Sequence, residues 1–248
     1  MSHLKIIPNI VVMSTLLFFT MACTGNQNES SSTGESTELV SEVMTKEKQD
    51  SLTPEEVLED FKEGNERYMN NNLTPWNYVE QAKKTASGQY PEAVVLSCLD
   101  SRVPVEHIFD KGIGDIFVGR VAGNFVNVDM LGSLEFATQV AGSKLVVIMG
   151  HESCGAVKSA IDDVQLGNIT AMLEKIKPAV AMTGNYEGEQ TTQNSEYVTR
   201  VVENNVRYTI GEIREKSPII RQLEEEGDIL IMGAFYDLDT GKVTFLDS

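Results

Sequence analysis

The chain is poor in the residues that bind polyanions: Lys and Arg number 20 against 37 Asp and Glu, a formal charge of −17 over 248 residues. Sequence-independent nucleic-acid binding depends on clustered Lys and Arg that neutralise phosphates, so this deficit argues against it. It also disfavours docking of the folded surface on anionic lipid. Long apolar runs are missing too, since Ile10 to Phe19 is too short to span a bilayer. No dinucleotide fingerprint is present: Gly112-Ile113-Gly114 lacks the third glycine and the following helix, and reads as a turn. Histidine and cysteine number three each, and Trp76 is the only tryptophan. Any metal or thiol chemistry must therefore be built from very few side chains. What is present suffices for a globular protein, with 41% hydrophobic residues for a core and an acidity that reads as a well-solvated surface. The length fits one domain with an N-terminal extension.

The scarce residues are not scattered. One cluster reads Cys98-Leu99-Asp100-Ser101-Arg102, the other Gly150-His151-Glu152-Ser153-Cys154-Gly155. Each directly follows an apolar β-type run, Ala93 to Leu96 and Leu145 to Met149. Both therefore fall at the carboxyl ends of strands, the edge of an open α/β sheet that carries the active site. Two thiolates and one imidazole make a zinc site one ligand short of a closed tetrahedron, and zinc held by three protein ligands keeps a fourth position for water. The competing reading is a Cys98–Cys154 disulfide, natural for two leftover cysteines in an oxidising compartment. A staple would need neither His151 nor Asp100 nor Arg102, and this favours zinc. Arg102 is the natural partner of Asp100, because a guanidinium fork binds a carboxylate in fixed geometry and keeps it ionised.

Residues 1–22 read as an export signal, with Lys5 before an apolar segment and Ala22 before Cys23. Cys23 followed by Thr24-Gly25-Asn26-Gln27 resembles a bacterial lipoprotein signal, although Thr20 stands where the usual pattern has Leu. The resemblance implies lipidation of Cys23 and a location in the bacterial cell envelope, with the membrane reached through the lipid alone. The polar composition of residues 23–52 predicts a flexible tether, leaving residues 53–248 as the folded domain. Thr53-Pro54-Glu55-Glu56 is a capping box that opens a helix along Val57, Leu58, Phe61 and Tyr68. A second short helix is expected from Asn77 to about Ala86. Strands are expected at Ala93 to Cys98, Ile116 to Val118, Leu145 to Met149 and Ile229 to Met232. Between them lie helices, with Met130, Leu134, Ala137 and Val140 on one face and Ala156 to Ile161 on another. Asn194 to Lys216 reads as one long helix and Pro218 to Glu226 as a short one, before a turn at Asp239-Thr240-Gly241 that returns an edge strand. The fold class is α/β: a mostly parallel central sheet flanked by helices, with an N-terminal helical extension. His107 reads as a helix-surface residue, and the two glycosylation sequons at Asn72 and Asn168 as unmodified.

The two clusters resemble the β-class carbonic anhydrases, whose pattern is Cys-x-Asp-x-Arg followed some fifty residues later by His-x-x-Cys. The likeness runs over Pro91 to Ile161 and includes Phe117-Val118-Gly119-Arg120-Val121-Ala122-Gly123-Asn124. It implies a zinc ion on Cys98, His151 and Cys154, reversible hydration of carbon dioxide to bicarbonate and a proton, and Asp100 and Arg102 orienting the nucleophile. In a closed form of some members the aspartate takes the fourth zinc position, a role open to Asp100. It implies further that Gln89, nine positions before Cys98, contacts substrate, and that Phe117 and Ala122 line the pocket. A homodimer or tetramer is expected, closed by the N-terminal helices. Val95 stands where bicarbonate-regulated members carry Trp, so that anion site is absent or altered. Two alternatives remain: a carbonyl sulfide or carbon disulfide hydrolase of the same fold, and a non-catalytic envelope lipoprotein.

Overall fold

A computed structural model describes residues 38–246; the export signal, Cys23 and the tether up to residue 37 lie outside these residues. Three helices come first: α1 (Lys46–Ser51), α2 (Pro54–Met69) and α3 (Tyr78–Lys84). The sheet and its connections follow as β1 (Ala93–Ser97), α4 (Val105–Ile108), β2 (Ile116–Arg120), α5 (Val128–Glu135), β3 (Leu145–His151), α6 (Gly155–Ile161), α7 (Gly167–Leu173), α8 (Lys177–Met182), α9 (Ser195–Lys216), α10 (Pro218–Glu226), β4 (Leu230–Tyr236) and β5 (Val243–Leu246). The strand order is β2-β1-β3-β4-β5. The first four strands are parallel and β5 returns antiparallel along β4, the mostly parallel sheet that the alternation of strand and helix predicts.

Local chemistry sets the boundaries. The Thr53 side chain accepts from the Glu56 N–H while Glu56 reaches back to the Thr53 N–H, with Pro54 at the first helical position. Asn194 caps α9 through the N–H groups of Glu196 and Tyr197. Ser217 caps α10, and Gly227 ends it at φ 78 in the left-handed region. Side chains alternate across the sheet. Ala93, Val95, Val147 and Met149 pack with Val57, Phe61, Ile108 and Phe109 on one face. Val94, Leu96, Val146 and Ile148 pack with Val206, Ile210 and Ile213 of α9 on the other. Each such side chain removed from water contributes about 1.5–3 kcal/mol before chain entropy is set against it. The helix α9 approaches β3 so closely that a Cβ on Gly150 would come within 2.5 Å of Val202 Cγ1, so residue 150 must be glycine for the helix to lie where it does.

Two expectations need correction. The folded region begins before Thr53: Val40 bridges to Trp76, α1 is capped by Thr45, and Gln49 is buried with its amide donating to the carbonyls of Pro91 and Ala141. Residues 38–52 contribute few apolar side chains, Met44 and Leu52 among them, and are held largely by hydrogen bonds to distant backbone, which is why their polar composition reads as a tether. Trp76 donates from Nε1 to Asp110. The second correction concerns Val140. Past Glu135 the helix widens into a π turn, Phe136–Val140, which changes the angular step per residue; Leu134 and Ala137 stay buried and Val140 is 69% exposed.

The amino edge of the sheet is tied by buried charge. Asp110 accepts from Arg67 Nε at 2.6 Å, from the Thr74 N–H and hydroxyl and from Trp76. Lys111 is buried between Asp60 and Glu92, at 2.5 Å from the latter, with its ammonium over the Phe61 ring. Removing one partner from such a group leaves an uncompensated charge and typically costs about 3–5 kcal/mol. These bonds tie α2 and the loop before α3 to the edge of the sheet away from the two cysteine clusters, while the far end of α2 reaches β4, where the Tyr68 and Tyr236 hydroxyls lie 3.2 Å apart.

Candidate metal centre

The parallel register places Ser97 of β1 beside Met149 of β3. Cys98, the residue after β1, therefore leaves the sheet next to Gly150 and His151, and Cys154 follows at the N-cap of α6. Their ligand atoms lie within 4.8 Å of one another, and all three residues are buried. The turn carrying Cys154 passes through Ser153 at φ 52, a conformation that a non-glycine residue holds at a cost and that collects at functional sites.

The donor set fits zinc on two independent observations. Two sulfurs each about 2.3 Å from one tetrahedral ion lie about 3.8 Å apart; Cys98 Sγ and Cys154 Sγ are separated by 3.9 Å, and both cysteines are free. A disulfide needs about 2.05 Å, so the staple reading does not describe this structure. Second, His151 Nδ1 lies 2.8 Å from the Glu152 carbonyl oxygen, which makes Nδ1 the protonated nitrogen and leaves the lone pair on Nε2. Nε2 is buried without a hydrogen-bond partner in the protein. An unpaired lone pair aimed at two sulfurs is a costly arrangement unless a cation occupies the space between them.

The sulfurs are prepared for charge. Cys98 Sγ accepts from the Gly123 N–H at 3.4 Å, and its thiol is pulled well below the ordinary range by the Cys154 hydrogen bond, with His151 and Gly123 assisting against burial. The Cys154 thiol is pushed up by the same shared hydrogen bond and by burial, while the N–H groups of Val157 and Ala156 oppose this. A dication between the two sulfurs would favour the thiolate form of both.

Asp100 stands beside the three ligands. Its Oδ2 is 3.9 Å from His151 Nε2, yet both oxygens are taken by Arg102: Nε to Oδ1 at 3.0 Å, Nη2 to Oδ2 at 2.8 Å and the backbone N–H to Oδ1 at 2.9 Å. The Arg102 hydrogen bonds hold its carboxyl well below the usual carboxylate range, although partial burial works the other way. In this arrangement Asp100 is outside the ligand group, and the guanidinium rather than the metal position claims it. The loop from Cys98 to Val103 is clamped in turn by Arg120, whose guanidinium donates to the carbonyls of Cys98 at 3.2 Å, Asp100 at 3.4 Å and Val103. Sequence reasoning included Arg120 in a matching stretch but gave it no role. A strand-end arginine with no carboxylate nearby in sequence was the available signal.

The remaining predicted residues are placed differently. Ala122 is half-buried next to Gly123 and thus near Cys98. Phe117 lies on β2, the open edge strand, where it packs at 6.3 Å against Phe136 and lines a groove of about 500 Å³ with Met130, Gly132 and Leu134. Gln89 is exposed before the amino end of β1, whereas Cys98 follows its carboxyl end. His107 is exposed on α4, as expected of a helix-surface residue.

A parallel α/β sheet with two cysteines and a histidine converging at its carboxyl edge is the scaffold of a mononuclear zinc enzyme of the β class. The chain belongs to the carbonic anhydrase family, whose sequence profile matches residues 93–243. "Carbonic anhydrase 2" of Mycobacterium tuberculosis is 34% identical over 193 residues, covering 75% of this chain and 90% of that one. A carbonic anhydrase of Mycolicibacterium smegmatis is 35% identical over 189 residues, covering 74% and 88%. Among solved structures, one of two tetrameric β-carbonic anhydrases from the fungus Sordaria macrospora superposes with a TM-score of 0.60 at 28% identity, covering 67% of this chain and 85% of that one. A β-carbonic anhydrase of Aspergillus fumigatus does so with 0.60 at 29%, covering 68% and 81%.

The ligand geometry generates one prediction. Purified protein carries about one zinc per chain, and Cys98→Ser loses most of it, since two remaining ligands cannot hold the ion tightly. Metal analysis checks this; a Cys98→Ser protein that keeps a full equivalent would show that the ion binds elsewhere.

Proposed function

We propose that this protein catalyses the reversible hydration of carbon dioxide to bicarbonate and a proton, using zinc on Cys98, His151 and Cys154. The observation that carries the reading is the pairing of an open three-ligand site with an arginine-held carboxylate at its mouth. Zinc in such a site lowers the pKa of a water from 15.7 to about 7 and so supplies a nucleophile at neutral pH. The chain's own residues do the positioning. Asp100, ionised by Arg102, accepts a hydrogen bond from the nucleophile and turns its lone pair towards the carbon of the substrate. Arg102 also disfavours Asp100 in the nucleophile's place, because turning the carboxylate onto a metal would break its two-point fork with the guanidinium. The closed form with Asp100 as fourth ligand requires those bonds to break first.

Gln89 and Phe117 support an assembly in which each pocket is shared. The five residues of β1 separate Gln89 from the metal centre of its own chain by about 17 Å of strand, so a substrate contact by this amide requires a second protomer. Phe117 sits on the open sheet edge against exposed Phe136, and Val128 and Val140 of the same helical stretch are exposed too, apolar surface suited to a self-complementary interface. A homodimer, or a tetramer built from it, is the reading that uses both observations.

Anchoring through Cys23 rests on the sequence: an apolar segment, Ala22, the cysteine and a polar run. It leaves residues 24–37 between the lipid and the first placed residues of a domain in the bacterial envelope. Among the described residues no helix is long and apolar enough to cross a membrane.

Three experiments test this reading. Arg102→Ala keeps its zinc and loses hydration activity by roughly ten- to a thousand-fold, the range for one lost element of electrostatic preorganisation; assays with carbon dioxide and carbonyl sulfide run side by side, and efficient turnover of carbonyl sulfide with little of carbon dioxide would transfer the assignment to a hydrolase. For the shared pocket, Gln89→Ala and Cys98→Ser are each impaired, and co-assembling them restores activity because one mixed site is intact; an unimproved mixture contradicts a substrate role for Gln89 across an interface. Cys23→Ala shifts the protein from the membrane to the soluble envelope fraction, or leaves its signal uncleaved; an unchanged distribution contradicts the lipid anchor.

A further inference from the structure

Helix α9 presents a stripe of Val198, Val201, Val202, Val206, Ile210 and Ile213 to the sheet and to the metal centre, interrupted by two fully buried polar residues, Asn205 and Thr209. Asn205 has no exposed surface, and burying an amide is unfavourable unless it is hydrogen-bonded. Its Nδ2 donates to the Gly123 carbonyl at 2.8 Å. The same Gly123 donates its N–H to Cys98 Sγ at 3.4 Å. We infer that Asn205 is a positioning residue for the metal centre, holding Gly123 so that its N–H stays aimed at the Cys98 thiolate.

The N–H and C=O of Gly123 belong to different peptide planes, so the coupling is geometric and does not pass as polarisation through one amide. Asn205 fixes the plane after the Cα, the thiolate takes the donor of the plane before it, and Gly123 itself is at φ 84, where a Cβ would meet Ile176 Cδ1 at 2.3 Å. A glycine in this region has wide conformational freedom, and without a tether its N–H has other directions to point. The next residue, Asn124, is also left-handed at φ 39 and buried, so the strained turn depends on outside bonds to keep its shape. Donors to a metal-bound thiolate set the charge it delivers and the strength with which it holds the ion. An apolar residue at position 205 would match the stripe and the core better than Asn does. Its presence is explained by the bond to Gly123.

The inference rests on Cys98 as a zinc ligand, and the two assignments fail differently. Zinc release from the loaded protein to an excess of chelator is measured for the parent and for Asn205→Leu, which keeps the branched shape and removes the donor. Roughly ten- to hundredfold faster release is expected from the variant, and in the cobalt-substituted protein a shifted sulfur-to-metal charge-transfer band. A merely structural role would leave that band in place. The parent loaded with an NMR-active cadmium isotope gives a readout independent of variant folding: a through-bond coupling between the metal and the Gly123 amide proton, with slowly exchanging Asn205 side-chain amide protons. Absence of either signal in the parent overturns the inference, as do a release rate and band in Asn205→Leu identical to the parent's. A parent that binds no metal would instead overturn the ligand assignment.

Discussion

Two thiolates and an imidazole repel or desolvate one another unless a cation joins them, and holding them together is the constraint that organises the carboxyl edge of the sheet. The register of β1 against β3 does most of this. With Ser97 opposite Met149, Cys98 and His151 emerge side by side; a slip of one residue would turn alternate side chains to the other face and part the ligands. That register is held by the packing of two continuously apolar strands buried on both faces, and by Gly150, which admits α9 close to β3. The same helix brings Asn205 to the loop that supports Cys98.

Polar satisfaction differs between the two ends of the sheet. At the amino edge the buried charges of Asp110, Lys111 and Glu92 are matched by partners. At the carboxyl edge and the adjoining α9, His151 Nε2, Asn124 Nδ2, Asn205 Oδ1 and Thr209 Oγ1 are buried without one. Gln49 Oε1 is the fifth such atom among the described residues and lies at the amino edge, but the amide nitrogen of that side chain is doubly engaged. Local rules are broken where function demands it: an unpaired imidazole nitrogen and a left-handed serine are acceptable in a site that gains its stability from a bound ion. Arg102 and Arg120 extend this logic. One holds the carboxylate away from the ion and the other pins the backbone that carries it.

Much of the architecture was legible in the sequence because its signals are local. The capping box at Thr53 and Glu56, the Asn194 and Ser217 caps and the apolar runs of β1 and β3 each act over a few residues. The Cys-x-Asp-x-Arg and His-x-x-Cys clusters were legible for the same reason, since a strand end followed by a turn brings each set together. The remainder depends on partners far apart in sequence. Gln49 is polar, yet its burial rests on carbonyls 42 and 92 residues away, so residues 38–52 read as a tether. The π turn that exposes Val140 breaks the helical period and leaves no compositional mark. Asn205 reads as one polar residue in an amphipathic helix until Gly123 is placed beside it.

X-ray absorption at the zinc edge of the loaded protein tests the central claim, an open site of two sulfurs and one nitrogen with Asp100 kept aside by Arg102. The account predicts two sulfur scatterers at about 2.3 Å and two light-atom scatterers at about 2.0–2.1 Å, one of them the imidazole, with an exogenous anion able to replace the non-protein ligand. A shell with fewer than two sulfurs, or a spectrum that no added anion alters in the parent, would contradict it.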